Sequence, residues 1–167
     1  NIPFSGPAGA IFETSPVSLD IMRRLGERLA TQGGAMIAVD YGHAKSGFGD
    51  TLQAVKAHQF VPILTDPGEV DITAHVDFAM LAIAARRGGA EAHPLLSQAT
   101  LLERLGIAHR AEILKRKAEK PDEIDRAVSR LAGTDEHAMG LLFKALAITS
   151  PGLAPPPGFE TPDPRLA

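Results

Sequence analysis

The sequence predicts an α/β fold, and three observations in its first half lead to that prediction. Ser15 and Pro16 are followed by apolar residues at helical spacing. A glycine pair at 33 and 34 ends that segment. The apolar run "AMIAVDYG", from 35 to 42, then follows at once and is typical of a strand buried on both faces of a parallel sheet. Helix, glycine turn and buried strand together make half of an α/β unit.

The first helix is predicted from about Pro16 to Thr31. The Ser15 side chain can cap free backbone N–H groups, and a proline at the first helical position removes no donor that the helix needs. Helical spacing places five apolar residues on one face, which we expect to be buried: Val17, Ile21, Met22, Leu25 and Leu29.

The later elements follow from the same signals. The stretch "HAKSGFGDT" is predicted to be a loop, and "TLQAVKAHQFVPIL" a strand or an irregular edge segment. "DFAMLAIAARRGG" predicts a helix with a basic last turn and a glycine stop. A short strand is expected in "AEAHPLL", a helix capped by Ser97 after it, two amphipathic helices over 107–119 and 122–131, and a last strand in "GLLFKALAIT".

The two ends of the chain differ from the middle in composition. "SPGLAPPPGFETPDPRLA" is dense in proline, so we expect an extended tail and an ordered part that stops near Thr149. The start at Asn1, with its glycine- and proline-rich lead-in, suggests a beginning inside a longer chain. The sequence therefore predicts one globular unit over 1–150 and a proline-rich tail over 151–167.

Composition excludes several classes of function. With 17 Lys and Arg against 20 Asp and Glu, the net charge of −3 gives no general attraction to nucleic acid or to an anionic membrane. The chain has no cysteine, which excludes disulfides, thiolate nucleophiles and cysteine-bound zinc. The six histidines do not have the spacing of a helical zinc site, and no apolar run reaches the length of a membrane span. We therefore predict neither a metal site nor a membrane span.

The end of the strand at 35–42 is one candidate site, because ligands of open α/β sheets bind outside the carboxyl ends of strands. Asp40 either caps the following loop or takes part in function. Tyr41, the only tyrosine, either packs or presents its ring and hydroxyl to a ligand. Gly42 either permits the turn or lines the site.

A second candidate is "DPGEVDITAHVDFAML", from 66 to 81, which holds four carboxylates, one histidine and one threonine. Asp71, Thr73 and Asp77 are types that helix starts favour, but capping explains only one or two of them. His75 has three possible roles: proton carrier, partner that orients a carboxylate, or solvent-facing bystander. We interpret the segment as serving both helix capping and a pocket.

Five stretches, in order, resemble the C-terminal half of the MidA family of S-adenosylmethionine-dependent methyltransferases. They are "GGAMIAVDYGH", "GDTLQAVKAHQF", "DPGEVDITAHVDFAML", "LLSQATLLERLGI" and "MGLLFKALAI", between Ile11 and Ile148. The resemblance implies a Rossmann-like class I fold: a seven-stranded sheet, parallel except for its last strand, with helices on both faces. "AMIAVDY" becomes the fifth strand, "LLFKALAIT" the reversed last strand, and the helices over about 97–133 an insertion before it.

The resemblance also implies the cofactor S-adenosylmethionine. In such folds the glycine-rich turn and the acidic residue that hold the cofactor belong to the N-terminal half. No such turn is present here, so no cofactor-binding residue is assigned, and we do not expect these 167 residues alone to bind the cofactor normally. The location implied is the bacterial cytoplasm, or the mitochondrial matrix for eukaryotic relatives.

The substrate that the resemblance implies is a protein arginine, in a subunit of respiratory complex I. A guanidinium is cationic and weakly nucleophilic, so carboxylates can hold it and take its proton. The candidate catalytic residues are Asp40, Asp71 and Asp77, with His75 as the orienting partner; Tyr41, Gly42 and Thr73 are candidates for substrate contact. Two alternatives remain: a non-catalytic assembly protein that binds a partner through the helical insertion, and a small-molecule methyltransferase.

Overall fold

The computed structural model describes residues 5–166. Its helices are α1 (Pro16–Gln32), α2 (Phe78–Arg87), α3 (Gln98–Arg104), α4 (Ile107–Lys115) and α5 (Pro121–Ala132), with a final 3-10 turn at Pro164–Leu166. Its strands are β1 (Ala35–His43), β2 (Gln53–Lys56), β3 (Gln59–Val61), β4 (Asp71–Thr73), β5 (Val76–Asp77), β6 (Glu91–Ala92), β7 (Leu96–Ser97) and β8 (Phe143–Thr149).

The helix starts lie where the sequence predicts them. The Ser15 side chain accepts from the backbone N–H of Ser18 at 3.3 Å and begins α1. The Ser97 side chain accepts from the N–H of Thr100 at 3.2 Å and begins α3. Both predicted caps are therefore confirmed.

The predicted apolar face of α1 is only partly correct. Met22 is buried and Leu29 packs against the core, but Val17 is 70% and Ile21 51% exposed. The buried face is set by the approach of α2, because a Cβ on Gly26 would lie 2.5 Å from the carbonyl oxygen of Ala85. The apolar periodicity of α1 alone does not reveal this close contact between the two helices.

The main sheet has the order β5-β1-β8-β6, and β7 also pairs with β8. β1 and β8 are antiparallel along seven residue pairs, from Ala35 with Thr149 to Tyr41 with Phe143. At its end β1 turns to pair in parallel with β5, Gly42 with Val76 and His43 with Asp77. The reversed last strand that the resemblance implies is confirmed.

The prediction that β1 is buried on both faces is wrong. Met36 and Ala38 pack into the core beneath α1 and α2, whereas Ile37 and Val39, on the opposite face, are about half exposed. Within residues 5–166, the cover on that opposite face lies over β7 and β8, where Leu96, Leu101, Ala145, Ala147 and Phe159 form a second core.

The prediction that order stops near Thr149 is also wrong. Phe159 is fully buried in the second core. The Arg104 guanidinium donates to three tail carbonyls, those of Gly158 at 2.7 Å, Thr161 at 2.8 Å and Pro162 at 3.0 Å. These bonds satisfy three backbone carbonyls in a segment whose prolines keep it from forming a regular helix or sheet.

A second, small sheet lies between β1 and α2 in the chain. Its order is β3-β2-β4, with antiparallel pairs throughout. β4 leads through Ala74 and His75 straight into β5. The small sheet therefore delivers the chain to the carboxyl end of β1, where the candidate site lies.

Candidate functional site

The site is built where β1 ends beside the start of α2. Gly42 permits this junction, because a Cβ there would lie 2.1 Å from the carbonyl oxygen of Val76. A larger residue would separate β5 from β1. The close pairing places His43 directly beside Asp77.

Asp77 has both a structural contact and a contact within the site. Its Oδ1 accepts from the N–H of Met80 at 2.9 Å and caps α2. Its Oδ2 lies 3.5 Å from Nε2 of His43, and the side chain is only 14% exposed. One carboxylate therefore begins the helix and faces an imidazole.

His75 is held by its backbone and its ring. Its N–H donates to Oγ1 of Thr51 at 2.9 Å. Its ring meets that of Tyr41 edge to face, with centroids 5.8 Å apart. Burial lowers the pKa of His75 below its ordinary value, and nearby His43 and Lys144 lower the pKa further. The neutral imidazole, which can accept a proton, is thus favoured at neutral pH.

Glu13 lies in the lead-in to α1 and joins the site from 38 residues away. Its Oε1 accepts from the N–H groups of Thr51 and Leu52, both at 3.0 Å, and its Oε2 accepts from the Thr51 hydroxyl. Desolvation raises the pKa of the Glu13 carboxyl, but these hydrogen bonds outweigh it, and the pKa lies below its ordinary value. Glu13 is therefore a carboxylate at neutral pH.

Two cavities meet at Glu13 and His75, which line both. One, of about 230 Å³, also takes in His43 and Thr51. The other, of about 300 Å³, extends along α1 and reaches Asp77. Two carboxylates and two imidazoles thus surround a concave region at the end of β1, and they can bind a cation and accept a proton.

The buried side chain of Lys144 stabilises the backbone beside the site. Nζ of Lys144 donates to the carbonyl of Gly42 at 2.8 Å, of Leu141 at 2.6 Å and of Leu142 at 3.1 Å. Burial lowers the pKa of Lys144, and Asp163 acts in the opposite direction. Lys144 thereby joins the end of β1 to the segment that leads into β8.

The structure brings together four of the residues that the sequence singles out: Tyr41, Gly42, His75 and Asp77. It does not bring in the others. Asp40 is exposed, and its carboxylate accepts from the N–H of Tyr41 at 2.8 Å. Asp71 is exposed on β4, and Thr73 pairs with β2. Their assignment to catalysis or substrate contact stays a prediction without a supporting contact.

Sequence reasoning did not include four residues of the site: Glu13, His43, Thr51 and Lys144. His43 has a local signal in the sequence, because it directly follows the strand-end motif "DYG". Thr51 and Lys144 carry no local signal. Glu13 lies two residues before a helix cap and resembles an ordinary surface residue of a helix start.

Among residues 5–166, no helix is long and apolar enough to cross a membrane. Over the same residues, no group of three or more histidine, aspartate or glutamate side chains is arranged to hold a metal ion.

Comparison with known families gives a match to one sequence family over residues 1–95, more than half of the chain. Its description is "Putative S-adenosyl-L-methionine-dependent methyltransferase". The chain belongs to this methyltransferase family. The resemblance to MidA methyltransferases in the sequence analysis is thereby confirmed.

Curated relatives carry a more specific name. The mitochondrial protein arginine methyltransferase NDUFAF7 of Rattus norvegicus is 38% identical over 109 residues, which cover 65% of this chain and 24% of the relative. The corresponding Caenorhabditis elegans homolog is 33% identical over 140 residues, 82% of this chain and 32% of the relative. The chain thus spans about a quarter to a third of the relatives it matches.

Two solved structures from Burkholderia thailandensis share the fold. One, an uncharacterised protein, has a TM-score of 0.72 and 26% identity, over 93% of this chain and 42% of that one. The other, of the same superfamily and bound to S-adenosyl-homocysteine, has a TM-score of 0.67 and 26% identity, over 89% of this chain and 38% of that one. The Rossmann-like methyltransferase fold is therefore confirmed.

Residues 5–166 do not form a complete cradle for S-adenosylmethionine. The two cavities of about 230 and 300 Å³ lie at or below the small end of pockets that enclose ligands of this size. Glu13, His43, His75 and Asp77 line them, and the smaller cavity is also lined by Lys45, Gly47, Phe48 and Gly49, which follow β1. The carboxylates among these groups can bind a cationic ligand.

Proposed function

We propose that this chain forms the acceptor side of an S-adenosylmethionine-dependent methyltransferase that modifies an arginine of a protein. The observation that carries the proposal is the meeting of Glu13, His43, His75 and Asp77 around adjoining cavities at the end of β1. The relatives named as protein arginine methyltransferases support the choice of acceptor.

The acceptor chemistry follows from the charges of these groups. A guanidinium is a planar cation that carboxylates bind with charge-assisted hydrogen bonds. When its nitrogen takes a methyl group, that nitrogen must release one proton. The neutral imidazole of His75 and the carboxylate of Asp77 are the groups placed to receive the proton, directly or through a water molecule. Glu13 and Asp77 supply the negative charge that keeps the cation in place.

The test uses the complete gene product with methyl-labelled S-adenosylmethionine and a complex I subunit as substrate. The proposal expects label on arginine. Label on lysine, or on a small molecule in an extract, would overturn the choice of substrate and favour a different acceptor. Asp77→Asn should lower methyl transfer by roughly 100-fold or more, the scale of a lost proton-transfer group. Asp122→Asn, at an exposed position in the first turn of α5, is the matched control.

The cofactor is tested separately by isothermal titration of S-adenosylmethionine into the complete gene product and into these 167 residues. Saturable binding to the complete product and none to the 167 residues is the expected result. Binding to neither would overturn the catalytic proposal.

We place the reaction in a reducing compartment, the bacterial cytoplasm or the mitochondrial matrix.

A second function, that of a non-catalytic assembly protein, is favoured by one observation. α5 has no buried residue, and a cavity of about 650 Å³ runs between α4 and α5, lined by Ile124, Val128 and Leu131 among others. Such an apolar surface can receive a partner. Partner binding that survives Asp77→Asn, with no methyl transfer by any form of the protein, would support this function over catalysis.

A further inference from the structure

We propose that Glu13 is a positioning residue for His75, and that it acts through the hydroxyl of Thr51. This inference rests on the proposed function, since it gives His75 a part in methyl transfer. It assigns a role to a carboxylate that neither the motifs nor the family resemblance includes.

A chain of hydrogen bonds joins Glu13 to His75. The Thr51 hydroxyl donates to Oε2 of Glu13 and accepts from the N–H of His75 at 2.9 Å. The backbone N–H of Thr51 also donates to Glu13, at 3.0 Å. The Glu13 carboxylate thus holds Thr51 at two points, its backbone N–H and its hydroxyl, and the hydroxyl in turn holds the backbone of His75.

This relay, from Glu13 through Thr51 to His75, joins three separate segments of the chain. Glu13 precedes α1, Thr51 precedes β2, and His75 lies between β4 and β5. Thr51 is 38 residues from Glu13 and 24 residues from His75. Without the relay, the segment at His75 would depend on its neighbours in β4 and β5, which are only three and two residues long. The relay therefore ties a short, weakly paired segment to the start of a long helix.

Electrostatics also links Glu13 to His75. The charged and titratable groups around His75 are Tyr41 and His43 on β1, Lys45 after β1, Lys144 on β8, Glu13 before α1 and Asp77 at the start of α2. Burial, His43 and Lys144 lower the pKa of His75, whereas Glu13 raises it. Glu13 therefore limits how far the basicity of the imidazole falls, and a proton acceptor needs that basicity.

The experiment follows the His75 ring by NMR in the complete gene product with ¹³C-labelled histidine, and His75→Gln identifies its signal. Glu13→Gln keeps an amide oxygen for the two backbone N–H groups but removes the charge. We expect it to lower the His75 pKa below the wild-type value and to move the acidic limb of the rate profile to lower pH. Glu136→Gln, at a side chain that is 87% exposed, is the matched charge control.

A second pair of variants tests the hydroxyl. Thr51→Val keeps the charge of Glu13 but breaks the relay, and it should lower kcat by roughly 10- to 100-fold, the scale of a misplaced catalytic group. Thr51→Ser keeps the hydroxyl and should restore kcat. A His75 pKa and a pH profile that stay unchanged in Glu13→Gln would overturn the inference and leave Glu13 as a loop anchor. If no form of the protein transfers methyl groups, the proposed function fails, while the NMR titration still decides whether Glu13 acts on His75.

Discussion

Glu13 and Asp163 are held in nearly the same way, yet they lie in surroundings that give them different roles. Each accepts from a hydroxyl and a backbone N–H of one residue, Glu13 from Thr51 and Asp163 from Ser97. Desolvation raises the pKa of each carboxyl, hydrogen bonds outweigh it, and each pKa lies below its ordinary value.

The difference lies in what surrounds each carboxylate. Asp163 is buried between the tail and the start of α3, at 2.7 Å from both the N–H and the hydroxyl of Ser97. Glu13 borders two cavities and faces the imidazole of His75. A well-bonded carboxylate with a lowered pKa is therefore not by itself a sign of function, and the adjacent imidazole and cavity are what distinguish the site.

From this comparison we expect the contacts of the proline-rich tail to govern the stability of the fold. Phe159→Ala should lower the free energy of unfolding by about 3–5 kcal/mol, the cost of removing a fully buried phenylalanine. Phe60→Ala, at a ring that is 77% exposed, should change it by less than about 0.5 kcal/mol. Urea denaturation followed by circular dichroism measures both. Equal effects would show that the tail does not pack as described.

Asp163→Ala should have the next largest effect. It leaves the N–H and hydroxyl of Ser97 without their charged acceptor, which costs about 1.5–3 kcal/mol. Glu136→Ala, at an exposed position, is the control. Methyl transfer per folded molecule should stay at the wild-type level in Asp163→Ala. If transfer is lost without a loss of stability, Asp163 is not a purely structural carboxylate, and the contrast with Glu13 is wrong.

Asp163 also predicts a pH dependence. Since its pKa is lower in the folded chain, its contribution to stability is fully present above the ordinary aspartate range, about pH 4, and is lost as the pH falls through the lowered value. The protection of the tail amides against hydrogen exchange, measured relative to their intrinsic exchange rates at each pH, should therefore fall on acidification. Glu13 titrates in the same direction, so the difference between wild type and Asp163→Ala isolates the tail. If exchange of the tail amides has the same pH profile in both proteins, Asp163 is not the source of the pH dependence.

Asp77 gives the smallest stability effect and separates capping from function. Asp77→Ala removes the cap of α2 and should cost about 1 kcal/mol, whereas Asp77→Asn keeps a good cap and should cost only a few tenths. Both changes remove the carboxylate beside His43. Full activity in Asp77→Asn, measured per folded molecule, would leave the residue with the structural role alone.

Local signals in the sequence predicted the main helices and strands. Ser15 and Ser97 cap the helices that follow them, and the two predicted apolar runs form the strands β1 and β8. Of the segment at 66–81, His75 and Asp77 line the cavities, whereas Asp71 and Thr73 lie outside them on β4. These features depend on residues that are adjacent, or on periodicity, and both can be read from a short window of sequence.

Contacts between distant residues could not be predicted in the same way. Glu13 meets Thr51 across 38 residues, and Asp163 meets Ser97 across 66. Proline content indicated an extended tail beyond an ordered part that stops near Thr149, but one buried aromatic ring and the Arg104 hydrogen bonds hold that tail to the domain. The half-exposed face of β1 likewise depends on which helices cover the sheet, not on the strand's own residues.

The most direct test is a crystal structure of the complete gene product with S-adenosyl-homocysteine and an arginine peptide. We expect the sulfur of S-adenosyl-homocysteine to face the cavity lined by Glu13, His43, Thr51 and His75, with the peptide guanidinium between the sulfur and those side chains. A sulfur that opens onto another surface, with this cavity closed off from the peptide, would contradict the assignment of the acceptor site.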